Sequence, residues 1–312
     1  MIMVRYGPGR KRDRSSTRMP SSFIGPYSSH PVPTSGRLHA RFPSRRQAEG
    51  KSMSARAARA RPKASTNRLN VSEAEWALRV KLAACYRMFV RREMDDLIYT
   101  HLSVKLDDQQ NAYLFIGFGQ LFDDVTASSL LKVDIDGKNI GATPGEVNPA
   151  GWVVHSTVYR AQAQANSVMH LHTIPGVAVS AQKDGLRPVN QFAITYSGQI
   201  AYHDYDGPGF RPAEQQTLIA DLGDKKMMFL RNHGTLSWGR SIAEAFTLMH
   251  YLERTCEIQI AVQGGGELAT PSDEVIKRTV ATGQGTGDAK WGEIGFEALL
   301  RRLDRQDPSY RD

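Results

Sequence analysis

The sequence lacks the features that mark secreted and membrane proteins. Only two cysteines, Cys85 and Cys256, occur in 312 residues, and they stand far apart in segments with a helical pattern. We therefore expect no disulfide framework, which fits a reducing compartment such as the cytoplasm. No window approaches 18 consecutive apolar residues, and the N-terminus has no apolar stretch of the kind that signal peptides carry. Neither a membrane span nor a secretory signal is expected.

Acidic residues are almost absent from the first 70 positions. This segment holds 16 Lys and Arg against 2 Asp and Glu, a net charge of +14, whereas the rest holds 24 against 30, a net of −6. The overall charge of +8 therefore comes from the leader. No basic stripe with interleaved aromatic residues follows it, so neither a nucleic acid nor a membrane is expected as a partner. The leader also lacks hydrophobic periodicity, which predicts disorder.

From residue 71 onward the apolar residues are spaced as in helices and short strands. Ser72-Glu73-Ala74-Glu75 is a capping box that predicts a helix to about Arg91. Further helices are predicted over 152–164, 176–182, 211–223, 241–263 and 291–303, with a short one starting at 126–130, and strands over 98–106, 112–117, 131–135, 199–204 and 226–230. This order indicates one α/β domain with a mixed or antiparallel sheet covered by helices.

Three histidines are the strongest chemical feature of the sequence. In the segment 167–173, SVMHLHT, the alternation of a β-strand would turn His170 and His172 to the same face. His233 follows another apolar run, and Gly234 after it would permit a sharp exit of the chain. Three neutral imidazoles suffice for a zinc site that keeps one position open for water or substrate. Spacing alone leaves a purely structural role equally open.

Several motifs, in the same order along the chain, resemble the class II aldolase/adducin family. They are HLHT at 170–173, IAYHDYDG at 200–207 and NHG at 232–234, with further matches at 125–130, 155–159 and 256–259. The resemblance runs from about Glu75 to about Val262, and the segment 200–207 is especially similar to adducin-like members. Several motifs in the same order over nearly 190 residues are specific for the family. They are much less specific for one enzymatic activity.

The resemblance implies a three-layer α/β/α fold with a mixed, largely antiparallel central sheet, and commonly a ring-like homotetramer. It divides the chain into a basic leader at 1–70 and a class II aldolase/adducin-like domain at 71–312 that ends in a helical extension. The leader has three explanations: an organelle transit peptide, a basic tethering tail, or a translation start assigned too early. We favour the last, with Met53 as the true start, because the resemblance begins only after it.

The resemblance also implies a chemistry and a set of metal ligands. Enzymes of the family cleave or epimerise sugar phosphates, with a divalent cation stabilising the enediolate and a nearby carboxylate moving the proton. Matched residue by residue, His170, His172 and His233 would hold zinc or another divalent transition metal. The position of the carboxylate falls on Gly151, so the usual acid is missing. Glu146 lies close in sequence and is the candidate to replace it.

The phosphate pocket of the family is also altered in this sequence. Thr100-His101, Phe118-Gly119 and Pro149-Ala150 stand where the family has donors for a phosphate dianion. Each change removes a hydroxyl or amide donor, and Phe118 adds apolar bulk. A phosphorylated sugar is therefore not the expected substrate.

Four further side chains are weaker candidates. Tyr202 falls near a family position whose tyrosine can donate a proton. His203 with Asp204 would form either a general-base pair or a hydrogen-bond network that closes a loop. His155 would either line the metal pocket or anchor its loop.

Two functions remain open from the sequence. The first is a zinc-dependent lyase of carbohydrate metabolism that stabilises an enediolate formed from a small, non-phosphorylated hydroxy-carbonyl compound. The second is a non-catalytic adducin-like binding domain with actin-type or spectrin-type partners, which Gly151 and the altered phosphate pocket favour. Against the second, the basic stretch stands before the domain, whereas adducins carry a basic, Lys-rich tail after it.

Overall fold

The structure is a computed structural model of the chain, and it describes residues 67–106, 111–207, 212–286 and 289–312. Almost all of the leader, with its predicted disorder and its three explanations, lies outside the described residues. The helices are α1 (Glu73–Val90), α2 (Pro149–Ala161), α3 (Ile174–Ser180), α4 (Gln191–Tyr196), α5 (Pro212–Leu222), α6 (Ile242–Gln263), α7 (Asp273–Thr286) and α8 (Ala289–Gln306). The strands are β1 (His101–Lys105), β2 (Tyr113–Phe115), β3 (Leu131–Val133), β4 (Ser167–Leu171), β5 (Ile200–His203), β6 (Met227–Leu230) and β7 (Gly234–Gly239).

The described strands form a single mixed sheet in the order β3-β2-β1-β4-β7-β6-β5. All neighbouring pairs are antiparallel except β5 and β6, which are parallel. The largely antiparallel sheet predicted from the sequence is therefore confirmed. Strands β4 and β7 lie at its centre, so the segment with His170 is deeply embedded in the sheet.

Helices cover both faces of the sheet. On one face Ser103 of β1 lies within hydrogen-bonding distance of His155 in α2, and α5 packs beside α2. On the other face Ser237 of β7 donates to the carbonyl of Ala245 in α6, and α1 and α3 pack against α6. The three-layer α/β/α arrangement is confirmed.

A buried ion pair attaches α1 to the loop before β3. The Ser72 hydroxyl caps α1 by accepting from the backbone N–H of Glu75 at 3.1 Å, as predicted. The Glu75 carboxylate pairs instead with Arg79, whose side chain is 2% exposed, and with Lys132. Arg79 also donates to the carbonyl of Leu130 at 2.8 Å. Only the serine half of the capping box therefore forms, because the buried arginine takes the carboxylate.

The predicted helix start at 126–130 is wrong, because this segment forms turns. Thr126 and Ser129 each accept a hydrogen bond from the other's backbone N–H, at 3.3 and 2.9 Å. The N–H groups of the two residues between them donate to the carbonyls of Tyr310 and Asp312, both at 2.9 Å. Local side-chain bonds and the C-terminal residues together satisfy donors that a helix would have used.

The strand that follows His233 was not predicted from the sequence. Gly234–Gly239 forms β7, which pairs with both β4 and β6. All six residues of this strand are buried, although the side chains from Thr235 to Trp238 alternate between polar and apolar.

Both cysteines are buried free thiols, Cys85 in α1 and Cys256 in α6. Burial raises the pKa of both thiols well above the ordinary value. None of the described helices is long and apolar enough to span a bilayer.

Replacing Arg79 with alanine is expected to lower the free energy of unfolding by about 3 kcal/mol, because Glu75 would keep a buried charge. The estimate is the low end for a broken buried pair, since Lys132 still contacts that carboxylate. Denaturant titration gives the value. Lys81→Ala on the same helix is the matched control, because Lys81 and Glu297 are 38% and 41% exposed and such pairs contribute below about 1 kcal/mol. Equal losses in the two variants would contradict this assignment.

Candidate metal centre

The three predicted histidines meet at one end of the sheet. His170 is in β4, His172 follows the end of that strand, and His233 lies in the turn between β6 and β7. Nε2 of His172 lies 2.8 Å from Nε2 of His170 and 3.0 Å from Nε2 of His233. Strand alternation does place the first two on one face, and the β6–β7 turn brings the third to them.

Hydrogen bonds determine the tautomers of two of these imidazoles. Nδ1 of His170 lies 2.9 Å from the carbonyl oxygen of Thr235, and Nδ1 of His172 lies 3.1 Å from the Asp96 carboxylate. Both oxygens accept only, so each Nδ1 carries the hydrogen and each Nε2 carries a lone pair. Two lone pairs that face each other at 2.8 Å repel unless a cation lies between them.

The donor set fits a divalent metal ion. Burial and the neighbouring imidazoles lower the pKa of His170 well below its ordinary value and that of His233 to about 4, so both are neutral ligands at neutral pH. A tetrahedral ion with bonds of about 2.0–2.1 Å would separate its ligand atoms by about 3.3 Å. The observed separations of 2.8 and 3.0 Å require only a small outward movement of the rings.

The open side of the histidine cluster faces a cleft of about 240 Å³. Its described lining consists of Tyr99, His101, Asn148, Ala150, Gly151, Val154, Tyr205 and Gly207 with the three histidines. Three protein ligands with an open fourth side are the arrangement of catalytic zinc sites. A larger cavity of about 660 Å³ beside α4, α6 and α8 contains none of the three histidines.

Gly234 is needed for close approach rather than for a turn. A Cβ atom at this position would lie 2.3 Å from the carbonyl oxygen of Leu171 and 2.9 Å from Cδ2 of His172. The left-handed turn falls instead on Asn232, which has a φ of 57°. The sharp exit predicted at Gly234 is therefore corrected: the missing side chain lets β7 and the histidine rings pack together.

The imidazole of His101 fills the space beside Gly151. A Cβ atom on Gly151 would lie 2.3 Å from Nε2 of His101, so no larger residue fits there without moving that ring. His101 is 3% exposed, and its ring centroid lies 5.2 Å from that of His170. A second buried imidazole therefore borders the cleft next to the three-histidine cluster.

A chain of buried polar groups leads from His101 into the layer between β1 and α2. Nδ1 of His101 lies 2.9 Å from Nε2 of His155, and the Ser103 hydroxyl lies 2.6 Å from Nδ1 of His155 and 2.7 Å from the Tyr159 hydroxyl. Burial lowers the pKa of His101 to about 3 and that of His155 well below its ordinary value, so both rings are neutral. Reversing these hydrogen bonds would switch Nε2 of His101 between donor and acceptor.

The predicted catalytic residues on β5 lie outside this cleft. Tyr202 points to the opposite face from His203, and its hydroxyl accepts from the backbone N–H of Leu186 at 2.9 Å. His203 pairs with Asp221 of α5 at 2.8 Å, whereas the predicted partner Asp204 is 97% exposed. The predicted His203–Asp204 pair is therefore corrected, because α5 supplies the carboxylate. The hydrogen bond between His203 and Asp221 therefore joins β5 to α5.

The remaining candidate acid, Glu146, is exposed in the loop before α2. It is not part of the described lining of the cleft, and its backbone carbonyl accepts from the N–H of Phe118 at 2.7 Å. No carboxylate is found among the described residues that line the cleft. The role of Glu146 as a substitute acid stays a prediction from the sequence.

Several residues of the site were missed by sequence reasoning. Asp96 bonds His172 although the two residues are 76 positions apart in the sequence. Tyr99 and Tyr205 line the cleft and are 52% and 54% exposed. Tyr205 belongs to the family-like segment 200–207, which is the one signal that could have indicated it. Glu253 lies behind the histidines on the buried side of α6.

The folded region is similar to known proteins of one family. Residues 80–260 match the family model described as Class II Aldolase and Adducin N-terminal domain. An aldolase II superfamily protein from Pseudomonas syringae with a crystal structure is 44% identical, with a TM-score of 0.75, covering 78% of this chain and 98% of that one. L-fuculose 1-phosphate aldolase from Glaciozyma antarctica PI12 is 25% identical, with a TM-score of 0.67, covering 77% and 93%. Alpha-adducin of Rattus norvegicus is 42% identical over 245 residues, which are 74% of this chain and 33% of that protein.

The stability of the metal-free protein is expected to fall as the pH falls below about 6.5. Burial lowers the pKa of His155, so the unfolded chain binds a proton that the folded chain does not, and stability rises with pH across this window. His155→Asn should reduce the slope of unfolding free energy against pH by up to about 1.4 kcal/mol per pH unit between about pH 5 and 6.5. Denaturant titrations in the presence of a chelator measure this slope.

Tyr159→Phe is the control for that slope. It removes the far end of the same hydrogen-bond chain without removing an imidazole, so stability should fall equally at every pH. An unchanged slope in His155→Asn would contradict the assignment.

Proposed function

This chain belongs to the class II aldolase and adducin family, and we propose that it is a divalent-metal-dependent lyase of the aldolase type. The observation that carries the proposal is the cluster of three imidazoles, two of which present fixed lone pairs to one point beside an open cleft. Zinc is the proposed ion, since imidazole nitrogen favours zinc over magnesium.

The proposed substrate is a small hydroxy-carbonyl compound without a phosphate group. The cleft of about 240 Å³ is small, and no lysine or arginine is among its described lining residues. A phosphate dianion would therefore lack the cationic partner that usually binds it. Apolar Ala150 and Val154 occupy part of the same wall.

A divalent cation bound to the three histidines would supply the positive charge that stabilises an enediolate. Asp96 and the Thr235 carbonyl hold the rings of His172 and His170 in place. Nε2 of His101 faces the cleft where a side chain at position 151 would otherwise lie, and we assign it the transfer of the substrate proton. Its place in the cleft supports His101 more strongly than Tyr202, His203 or Glu146, which stay predictions.

The alternative function is a non-catalytic adducin-like binding domain with an actin-type partner and a structural metal. Two observations favour it: no carboxylate is found in the described lining of the cleft, and the chain is 42% identical to alpha-adducin over one third of that protein. The open cleft beside the histidines favours the lyase instead.

A homotetramer and a cytoplasmic location are further parts of the proposal, the first taken from the family and the second from the low cysteine content. Exposed apolar side chains next to the site support a contact between subunits there. Leu97 is 65% exposed and follows Asp96, and Ile174 is 87% exposed and follows the segment with His172. Apolar groups gathered on a surface often mark an interface.

Metal analysis of the full-length protein tests the proposed centre. We expect about one zinc per chain in the parent protein and in His250→Ala, whose histidine lies in α6 outside the cluster, and none in His172→Ala. A parent protein that binds no zinc even when zinc is added would contradict the lyase proposal. The metal-loaded parent would then be screened for cleavage of non-phosphorylated hydroxy-carbonyl compounds.

On a substrate found in that screen, His101→Phe is expected to lower kcat by about 10²–10⁴-fold, because it removes the nitrogen assigned to proton transfer. Its zinc content should stay that of the parent. His203→Phe is the comparison, since His203 is buried against α5 outside the cleft, and it should leave kcat within a few fold. Equal kcat values for His101→Phe and the parent would remove His101 from the mechanism. A zinc-loaded parent with no turnover and with measurable actin binding would support the alternative function.

A further inference from the structure

A buried carboxylate lies directly behind the histidine cluster. Glu253 of α6 is 1% exposed, and its two oxygens accept hydrogen bonds from the hydroxyls of Thr173 and Thr235. The described groups that act on it are Thr173, Thr235 and the carboxylate of Glu257, and no cation is among them. Burying a carboxylate without a cation is costly, and burial here raises the pKa of Glu253 to about 7. Such a group needs a reason beyond packing.

The two threonines belong to the two segments that carry the metal ligands. Thr173 follows His172 directly and begins α3, where its hydroxyl also accepts from the N–H of Gly176 at 3.0 Å. Thr235 lies in β7 two residues after His233, and its carbonyl accepts from Nδ1 of His170 at 2.9 Å. The Glu253 carboxylate thus bonds to the segment that carries His172 and to the strand that follows His233.

The start of α3 is shaped to admit this carboxylate. A Cβ atom on Gly176 would lie 2.8 Å from Oε2 and 2.9 Å from Oε1 of Glu253. Any larger residue at this position would push the carboxylate away from the Thr173 hydroxyl. The absence of a side chain in the first turn of a helix therefore keeps Glu253 in contact with both threonines.

We propose that Glu253 is a positioning residue of the metal centre. Its bonds to Thr173 and Thr235 set the separation between the His170–His172 segment and the His233 turn. Asp96 bonds His172 itself, whereas Glu253 bonds Thr173 and Thr235 beside the ligands, so the two carboxyl groups support the imidazoles from different sides. This inference rests on the metal centre of the proposed function and adds a residue that does not touch the ion.

The test is zinc affinity of the full-length protein, measured by competition with a chromophoric chelator, and the visible absorption spectrum after cobalt(II) substitution. Glu253→Gln keeps the size of the side chain but removes the charge and one acceptor. We expect zinc binding to weaken by about 10–100-fold and the cobalt bands to shift, since the ligand geometry relaxes. Glu257→Gln, one turn later on α6 and 41% exposed, is the matched control and should match the parent in both measurements.

A second pair of variants covers the case in which Glu253→Gln does not fold. Thr235→Ser keeps the hydroxyl and should keep the affinity, whereas Thr235→Val is nearly isosteric, loses the hydroxyl and should weaken zinc binding by about tenfold. Unchanged affinity and spectra in every folded Glu253 and Thr235 variant would overturn the inference and leave the metal centre standing. A parent protein without zinc affinity would overturn the proposed function itself.

Discussion

Two imidazole nitrogens that face each other at 2.8 Å, each with its other ring nitrogen already donating, are the constraint on which the rest of the site depends. The proposed metal ion would place positive charge between the rings, and the surrounding elements supply the oxygen acceptors that orient them. β7 supplies the Thr235 carbonyl and the turn after α1 supplies Asp96. The sheet, α1 and α6 are thereby coupled to one point at the strand ends.

Close packing around that point depends on three glycines, whose lack of a side chain leaves room for neighbouring groups. At Gly151 the vacant space is filled by His101, at Gly234 by the carbonyl of Leu171, and at Gly176 by the carboxylate of Glu253. A methyl group at these positions would approach those groups to 2.3, 2.3 and 2.8 Å respectively. Each glycine allows a polar group from another element to come within bonding reach of the cleft or its supports.

The sequence predicted those features that depend on residues close together in the chain. The capping serine at position 72 marked the start of α1, and strand alternation placed His170 and His172 together. The parts that failed depend on partners far away in sequence. Asp96 and His172 are separated by 76 residues, and the 126–130 loop bonds the last residues of the chain. β7 was missed although the side chains from Thr235 to Trp238 alternate between polar and apolar, which is the pattern of a strand.

The position of β7 between β4 and β6 has a consequence for how the protein forms. Register pairs such as His170 with Leu236 join residues more than 60 positions apart, so this central pairing closes a long loop. Closing long loops costs entropy before it yields contacts and slows folding. The ligand set cannot assemble until the ribosome has released the chain beyond residue 239. Binding of the proposed metal ion would therefore follow synthesis of β7, and a nascent chain that lacks β7 could not use the ion to nucleate its sheet.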